Sequence, residues 1–185
     1  RTLEVGGASL EFSKAVIATG ARAAVPPIPG LGESGYLTNE TIFSLTELPR
    51  RLAVVGGGPI GAEMAQTFRR FGSEVHVVEM AGRILPRDDE DVSEVMRKRF
   101  EEEGIQLHTS TALEGVSREG EEKTLRLGGG TEITVDHLLV AIGRAPNVES
   151  LGLEEAGVAY DRRKGVEVND FLQTSNRHIY AAGDA

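Results

Sequence analysis

Two hydrophobic periods alternate along this chain, and the points where one gives way to the other outline its elements. Near the start, Leu3-Glu-Val5 and Ser9-Leu-Glu-Phe12 alternate around Gly6-Gly7, as the strands of a hairpin do. Ala15-Val-Ile-Ala18 is a continuous apolar run that stops at Thr19-Gly20, which predicts a buried strand delivered to a loop. Pro26, Pro27 and Pro29 make residues 22–31 an irregular connector, and residues 38–49 read as a second one.

From Arg51 the pattern becomes regular. Leu52 to Val55 is an apolar run that ends at Gly56-Gly57-Gly58. A helix is predicted from about Pro59 to Phe71, because proline suits a first helical turn and Ile60, Met64, Phe68 and Phe71 fall on one face. Gly72 suits the left-handed cap that ends it. Glu74 to Glu79 is the next strand. A second helix follows from about Asp89 to Glu103, acidic at its start, with Val92, Val95, Met96 and Phe100 as its apolar stripe. Gly104 ends it, and Ile105 to His108 begins a third strand.

Beyond that the period falls to two. Ala112–Val116, Lys123–Leu127 and Thr131–Val135 read as a β-meander, and His137 to Ile142 as a last buried strand ending at Gly143. The right-handed crossover rule makes the first three strands of this region parallel, in spatial order 3-2-1. Residues 148–185 are less regular, with short runs at Val166-Glu-Val168 and His178 to Ala182. The expected fold class is α/β, a Rossmann-type parallel sheet with an attached β-meander.

The first strand, its glycine turn and the following helix carry the candidate chemistry. Gly56, Gly58 and Gly61 form G-x-G-x-x-G between a strand and a helix, and Glu79 ends the next strand, 18 residues after Gly61. Gly56 lets the chain leave the strand sharply, Gly58 lets the backbone approach a pyrophosphate, and Gly61 lets helix and strand touch. The helix then directs free N–H groups and its positive end at the phosphates. A carboxylate at Glu79 accepts hydrogen bonds from ribose hydroxyls and repels a 2′-phosphate, which favours NAD over NADP. Arg83, four residues on, argues the other way, but Glu79 holds the strand end itself.

Composition narrows the setting. The net charge of −9 argues against a nucleic-acid partner. No apolar run reaches the length of a membrane span, so a soluble, cytoplasmic protein is expected. The sequence has no cysteine, which removes disulfides, thiolate metal sites and a thiol nucleophile from these 185 residues. It begins at Arg1 and ends just after Gly183-Asp184, which suggests a piece of a longer chain.

Three further motifs widen the picture: Ala18-Thr19-Gly20-Ala21, Ala141-Ile-Gly143-Arg144-Ala-Pro146-Asn147 and Tyr180-Ala-Ala-Gly183-Asp184. With Gly56–Glu63 they stand in the order seen in flavoprotein disulfide reductases, the pyridine nucleotide-disulfide oxidoreductases, and the chain resembles that family over essentially its whole length. It looks most similar to dihydrolipoamide dehydrogenases and mercuric-reductase-like proteins. The resemblance implies an FAD/NAD(P)-binding fold in which residues 47–147 form an NAD(H)-binding domain. Residues 1–46 and 148–185 would be flanking pieces of an FAD domain, a second nucleotide-binding domain.

The resemblance also implies roles for individual residues. Gly56, Gly57, Gly58, Pro59, Ile60 and Gly61 would hold the dinucleotide, with Glu63 near the nicotinamide and Leu113 and Gly143 along NAD. Thr19 and Gly20 would lie near FAD, and Asp184 would bond its ribityl chain. The family's first glycine motif and redox cysteine pair would precede Arg1, and its dimerisation domain would follow Ala185. The implied parent is an FAD-dependent NAD(P)H oxidoreductase and a homodimer. Members similar to glutathione reductase place an aromatic residue where this chain has Pro59, which points away from glutathione and leaves lipoamide and a mercuric ion as substrates.

Other candidates read more plainly. His76, His108, His137 and His178 lack ligand spacing, so neither a catalytic nor a metal-binding residue is expected. Asp88 to Asp91 complements a helix dipole, and Glu101 to Glu103 reads as a solvated helix end. Arg144 is read as a phosphate- or flavin-steering group or as a salt bridge to the neighbouring domain. No G-x-S-x-G or P-loop supports a hydrolase or kinase. Two alternatives stand beside the oxidoreductase: a regulatory module that senses NAD, and a ferredoxin-reductase-like flavoenzyme without a cysteine pair.

Overall fold

The computed structural model describes all 185 residues. The chain opens with β1 (Thr2–Val5), β2 (Ala8–Glu11), β3 (Ala15–Ile17) and β4 (Ala21–Ala23). After the two connectors come β5 (Arg51–Val55), α1 (Pro59–Phe71), β6 (Glu74–Val78), α2 (Glu90–Glu102) and β7 (Gln106–His108). The meander is β8 (Leu113–Glu119), β9 (Glu122–Leu127) and β10 (Glu132–Val135), followed by β11 (His137–Val140). Short strands complete the chain: β12 (Arg144–Pro146), β13 (Tyr160–Asp161), β14 (Gly165–Val166) and β15 (Ile179–Ala181).

These elements form two compact units, one of residues 1–22 with 144–185 and one of residues 23–143. The units divide at 22/23 and 143/144. Residues 23–46 belong with the central unit because their apolar side chains are spent there. Leu31 joins the core on one face of the central sheet and Ile42 the core on the other. Leu37 extends the sheet beyond β11, its N–H reaching Leu138 O at 2.7 Å and its carbonyl accepting from Val140 N at 2.8 Å.

The central unit is built on a four-stranded sheet in the order β11-β5-β6-β7, parallel throughout. The three strands of the βαβαβ run lie in the expected 3-2-1 order. Because successive side chains point to opposite faces, β5 divides its residues between two cores. Leu52 and Val54 join Val75, Val77 and Phe100 on one face, while Ala53 and Val55 join Val78, Leu125 and Val135 on the other. Burying each Leu, Val or Phe among them is worth about 1.5–3 kcal/mol, so both faces of the strand contribute. The meander pairs antiparallel in the order β10-β9-β8, with a register shift between Leu113 and Gly115.

Helix α1 begins and ends as its sequence predicts. Gly72 has φ 113°, and its N–H reaches Arg69 O at 3.0 Å while Ser73 N reaches Phe68 O at 3.0 Å. The buried face differs from the expected stripe. Gly61, Ala62 and Ala65 are buried, Met64 and Phe68 partly so, and Phe71 is 66% exposed. Phe71 is the last helical residue, and its ring meets that of Phe68 edge to face at 6.3 Å.

Helix α2 is rotated from the expected phase. Val92 and Val95 are exposed, while Ser93 and Phe100 are buried. The hydroxyl of Ser93 donates to Ile84 O at 2.5 Å, and Phe100 fills the core, so those two contacts set which side turns inward. The helix end is not solvated throughout. Glu103 accepts from Arg70 Nη2 at 2.7 Å and from Gln66 at 3.2 Å, while its backbone carbonyl accepts from Arg69 Nε, so it ties α2 to α1. Hydrogen bonding from Arg70 holds the Glu103 carboxyl below its usual range.

The other unit has its own small core of Val148, Leu153, Val158, Val166, Ile179 and Ala181, with Phe12 and Ile17 packed on it. The hairpin β1–β2 is present in the expected place, and β3 pairs in parallel with β15. β3 is not the buried strand its apolar run predicts: Val16 is exposed, because in this chain the strand has one partner and an open face.

Candidate nucleotide site

At the C-terminal ends of β5 and β6 the central unit opens a cavity of about 460 Å³. Gly56, Gly58, Pro59, Ile60, Glu79, Leu113 and Gly143 line it. Ligands bind at this end of open α/β sheets because the strands there diverge into loops.

The turn is shaped by contacts that leave no room for side chains. Gly56 has φ 108°, and a Cβ there would run into the carbonyl of Ala141. A Cβ on Gly61 would run into the carbonyl of Gly56, which is how α1 comes to rest directly on the turn. Gly57 sits beneath Glu79 and donates its N–H to Oε2 at 2.6 Å. Gly58 is different. It precedes α1 with φ −72°, and a Cβ there would meet no protein atom within 4 Å. No side chain caps α1, so its first N–H groups are left without a protein acceptor. A bare backbone, an uncapped helix N-terminus and an adjoining cavity fit a pyrophosphate.

Glu79 is half-buried on the cavity wall, with Oε1 accepting from Ala81 N at 2.7 Å and Oε2 from Gly57. Its own N–H donates to His108 O at 2.9 Å, so β7 fixes the backbone from which the carboxylate hangs. Carboxylate oxygens accept more than one hydrogen bond, so these contacts orient Glu79 without exhausting it.

The remaining predicted positions fall elsewhere. Gly57 and Gly61 form the turn behind the lining. Glu63 is exposed on α1 and does not line the cavity. Thr19, Gly20 and Asp184 belong to the other unit. There Thr19 Oγ1 donates to Asn147 O at 2.7 Å, and Asn147 Nδ2 donates back to Thr19 O at 2.9 Å. Arg144 pairs with Asp184 Oδ2 at 3.1 Å and donates to Ala21 O at 2.9 Å. Arg144 therefore joins two of the sequence motifs inside one unit.

Several cavity residues had no signal in the sequence. Ile28 and Pro26 come from the proline-rich connector, and Met80, Pro86, Arg87 and Thr111 from loops after the strands. Ile142, expected at the end of a buried strand, lies beyond β11 and borders the cavity half-exposed. The cation on the cavity wall is Arg87, which has no ion-pair partner. Arg83, the arginine marked from sequence, is spent on its own loop, with Nη2 at 3.0 Å from Asp88 O and Nη1 at 3.8 Å from Glu90.

The structure also brings together two histidines that looked scattered. His76 on β6 and His108 on β7 stack at 5.4 Å between ring centroids, with Nδ1 of one 3.1 Å from Nε2 of the other. Burial lowers the pKa of both, and for His108 the neighbouring His76 lowers it further. Burial also lowers His137. A histidine whose pKa falls on folding binds its proton more readily when unfolded, so its contribution is complete above the unfolded value and is lost as pH falls through the folded one. The urea midpoint of the chain is therefore expected to fall between pH 7.5 and pH 5.5, above the range where carboxylates titrate. Replacing His76 by Gln should flatten that fall, and an unchanged pH profile in H76Q would refute the assignment.

The whole chain, residues 1–185, matches the family described as pyridine nucleotide-disulphide oxidoreductase. The chain belongs to that family. It is 42% identical over 186 residues to a mercuric reductase of Lysinibacillus sphaericus, covering 99% of this chain and 34% of the relative. It is 39% identical over 176 residues to a dihydrolipoyl dehydrogenase of Bacillus subtilis (strain 168), covering 95% and 38%. Among solved structures it is similar to the HOCl-induced flavoprotein disulfide reductase RclA from Escherichia coli, with TM-score 0.92 and 34% identity, covering 99% of this chain and 42% of that one. The chain thus spans between a third and a half of these relatives. No helix is long and apolar enough to cross a membrane.

Proposed function

We propose that the central unit binds NAD(H) in the cavity above the glycine turn, as the nicotinamide-nucleotide module of an FAD-dependent oxidoreductase. One observation carries this reading: the uncapped N-terminus of α1 and the bare backbone of Gly58 open on a cavity whose wall holds the Glu79 carboxylate. The helix end would hold the pyrophosphate, Glu79 the adenosine ribose, and Leu113 and Gly143 the remaining length of the dinucleotide.

When bound, NADH supplies a hydride and FAD accepts it. The residues of the cavity bind and orient, and none is assigned a proton transfer. In the other unit, the pairing of Asp184 Oδ2 with Arg144 leaves Oδ1 for a hydroxyl of the FAD ribityl chain, with Thr19 and Gly20 nearby in the family pattern. The names of the relatives supply two substrate classes for the whole protein: a mercuric ion, which would accept electrons that started on NADH, and a dihydrolipoyl dithiol, which would donate electrons through FAD to NAD⁺, the same transfer run in reverse. We place that whole protein in the cytoplasm as a homodimer. NADPH is the second reading, favoured by the unpaired Arg87 on the cavity wall.

Calorimetric titration of the chain with NADH, NADPH and FAD tests the assignment. One equivalent of NADH should bind, more tightly than NADPH. A chain that is folded by circular dichroism yet takes neither nicotinamide nucleotide would overturn the reading.

A further inference from the structure

A second site lies outside the nucleotide cavity, on the edge of the same sheet. His76 and His108 stand on the parallel neighbours β6 and β7, where His76 is in register with Gln106 and Val78 with His108. Residues opposite one another, or two apart on a strand, share a face, so both imidazoles lie on the face that carries Val78. That is the face opposite α1 and α2, whose side chains pack against Val75 and Val77. β7 is the edge of the sheet, and His108 keeps partial exposure while His76 is 8% exposed. Solvent reaches the pair from the His108 side.

We propose that His76 and His108 form a two-imidazole site for a first-row divalent cation that prefers nitrogen ligands, Cu²⁺ above Ni²⁺ and Zn²⁺. The first argument is the spacing. Two imidazole nitrogens each about 2.0–2.1 Å from one ion stand about 2.9–3.4 Å apart for angles between square and tetrahedral. Nδ1 of His76 and Nε2 of His108 are 3.1 Å apart, so the ion needs no strand movement, only rotation of the rings about their χ2 axes.

The second argument is the shell behind the ligands. Nε2 of His76, the nitrogen turned away from His108, lies 3.5 Å from Glu74 Oε1. Gln106 Nε2 donates to the same carboxylate oxygen at 3.1 Å and holds it in place. A metal-bound histidine characteristically donates its other ring N–H to such a carboxylate, which fixes the tautomer and raises the basicity of the ligand nitrogen. Gln106 Nε2 also stands 3.5 Å from His76 Nε2. In the tautomer of His76 protonated at Nε2, on the Glu74 side, Nδ1 presents a lone pair to His108. In the metal-free pair, His108 supplies the proton between the rings from Nε2.

On binding, that proton moves to Nδ1 of His108 through solvent, and Nε2 becomes the second ligand. Both imidazoles stay neutral, so no net proton is released near neutral pH. The two protein ligands leave the other positions to water, and the site is an open one. Burial lowers the pKa of both rings, which works in the same direction.

The probe is CuCl2 added to the untagged 185-residue chain at pH 7.5, in a weak competing chelator, followed by calorimetry and electron paramagnetic resonance. One equivalent should bind, with hyperfine structure from two nitrogens and with Ni²⁺ weaker than Cu²⁺. H108Q, at a part-exposed edge position, should keep the fold by circular dichroism and lose the stoichiometric site. E74Q should weaken it by about tenfold or more without removing a ligand. H137Q should leave it unchanged. Binding that persists undiminished in folded H108Q, or a spectrum with no imidazole nitrogen, overturns the proposal. NADH affinity is measured alongside and should be unaltered in E74Q, because Glu74 stands at the opposite end of β6 from the nucleotide cavity, so the fate of this site and that of the cavity are read separately.

Discussion

Glu79→Arg should weaken NADH binding by about tenfold to a hundredfold and shift the preference of the chain towards NADPH. The magnitude follows from hydrogen bonds to a charged acceptor, which contribute about 1.5–3 kcal/mol. Two protein donors, Gly57 N at 2.6 Å and Ala81 N at 2.7 Å, aim the wild-type carboxylate at the cavity. An arginine there loses those donors, loses the acceptor for ribose hydroxyls and, beside Arg87, adds a second cation on the same wall. Glu79→Gln separates the effects, because it keeps the shape and one acceptor oxygen while removing the charge. Calorimetry with both nucleotides on the wild type and the two variants is the measurement. A wild-type chain that prefers NADPH would sink the argument from Glu79 and move the weight to Arg87.

Gly56→Ala should cost the central unit about 2–6 kcal/mol. The backbone there has φ 108°, a region side chains rarely occupy, which costs about 1–3 kcal/mol. The added methyl also meets the carbonyl of Ala141 on the neighbouring strand run, and overpacking of this kind costs about another 1–3 kcal/mol. The expected fall in Tm is about 10 °C or more. Gly58→Ala is the informative partner. Its φ of −72° and the open space beside it predict a loss within about 1 kcal/mol, the size of a helix-cap effect. Yet the methyl would stand where the pyrophosphate backbone contact is made, so nucleotide binding should fall sharply. Equal thermal losses in the two variants would show that Gly58 serves the fold and not the ligand.

The central unit could be read from the sequence to the extent that its apolar runs were long and bounded. The strand at Leu52–Val55, the helix at Pro59–Phe71 and its glycine cap depend on neighbours in sequence, and the structure has them within a residue. The inward face of α2 was not readable. Val92 and Val95 look like core residues by type, but a buried Ser93 that reaches Ile84 O turns them outward. Glu103 looked solvated for the same reason: its partner Arg70 is 33 residues away in sequence. The connector at 22–31 was recognisable by its prolines, but nothing in them shows that Pro26 and Ile28 would border the cavity.

By itself the sequence determined the strand, glycine turn and helix at Gly56–Gly61, the carboxylate that closes the next strand, and the family to which they belong. These are local matters: φ > 0 at Gly56, a proline in a first turn and a period of hydrophobic positions are properties of short stretches. Only the tertiary structure decided that Arg87 and not Arg83 borders the cavity, that Arg144 holds Asp184, and that His76 and His108 lie 3.1 Å apart. Each of these depends on loop paths or on strand register. Register places residues some 30 positions apart side by side, and no pattern within either strand records its partner.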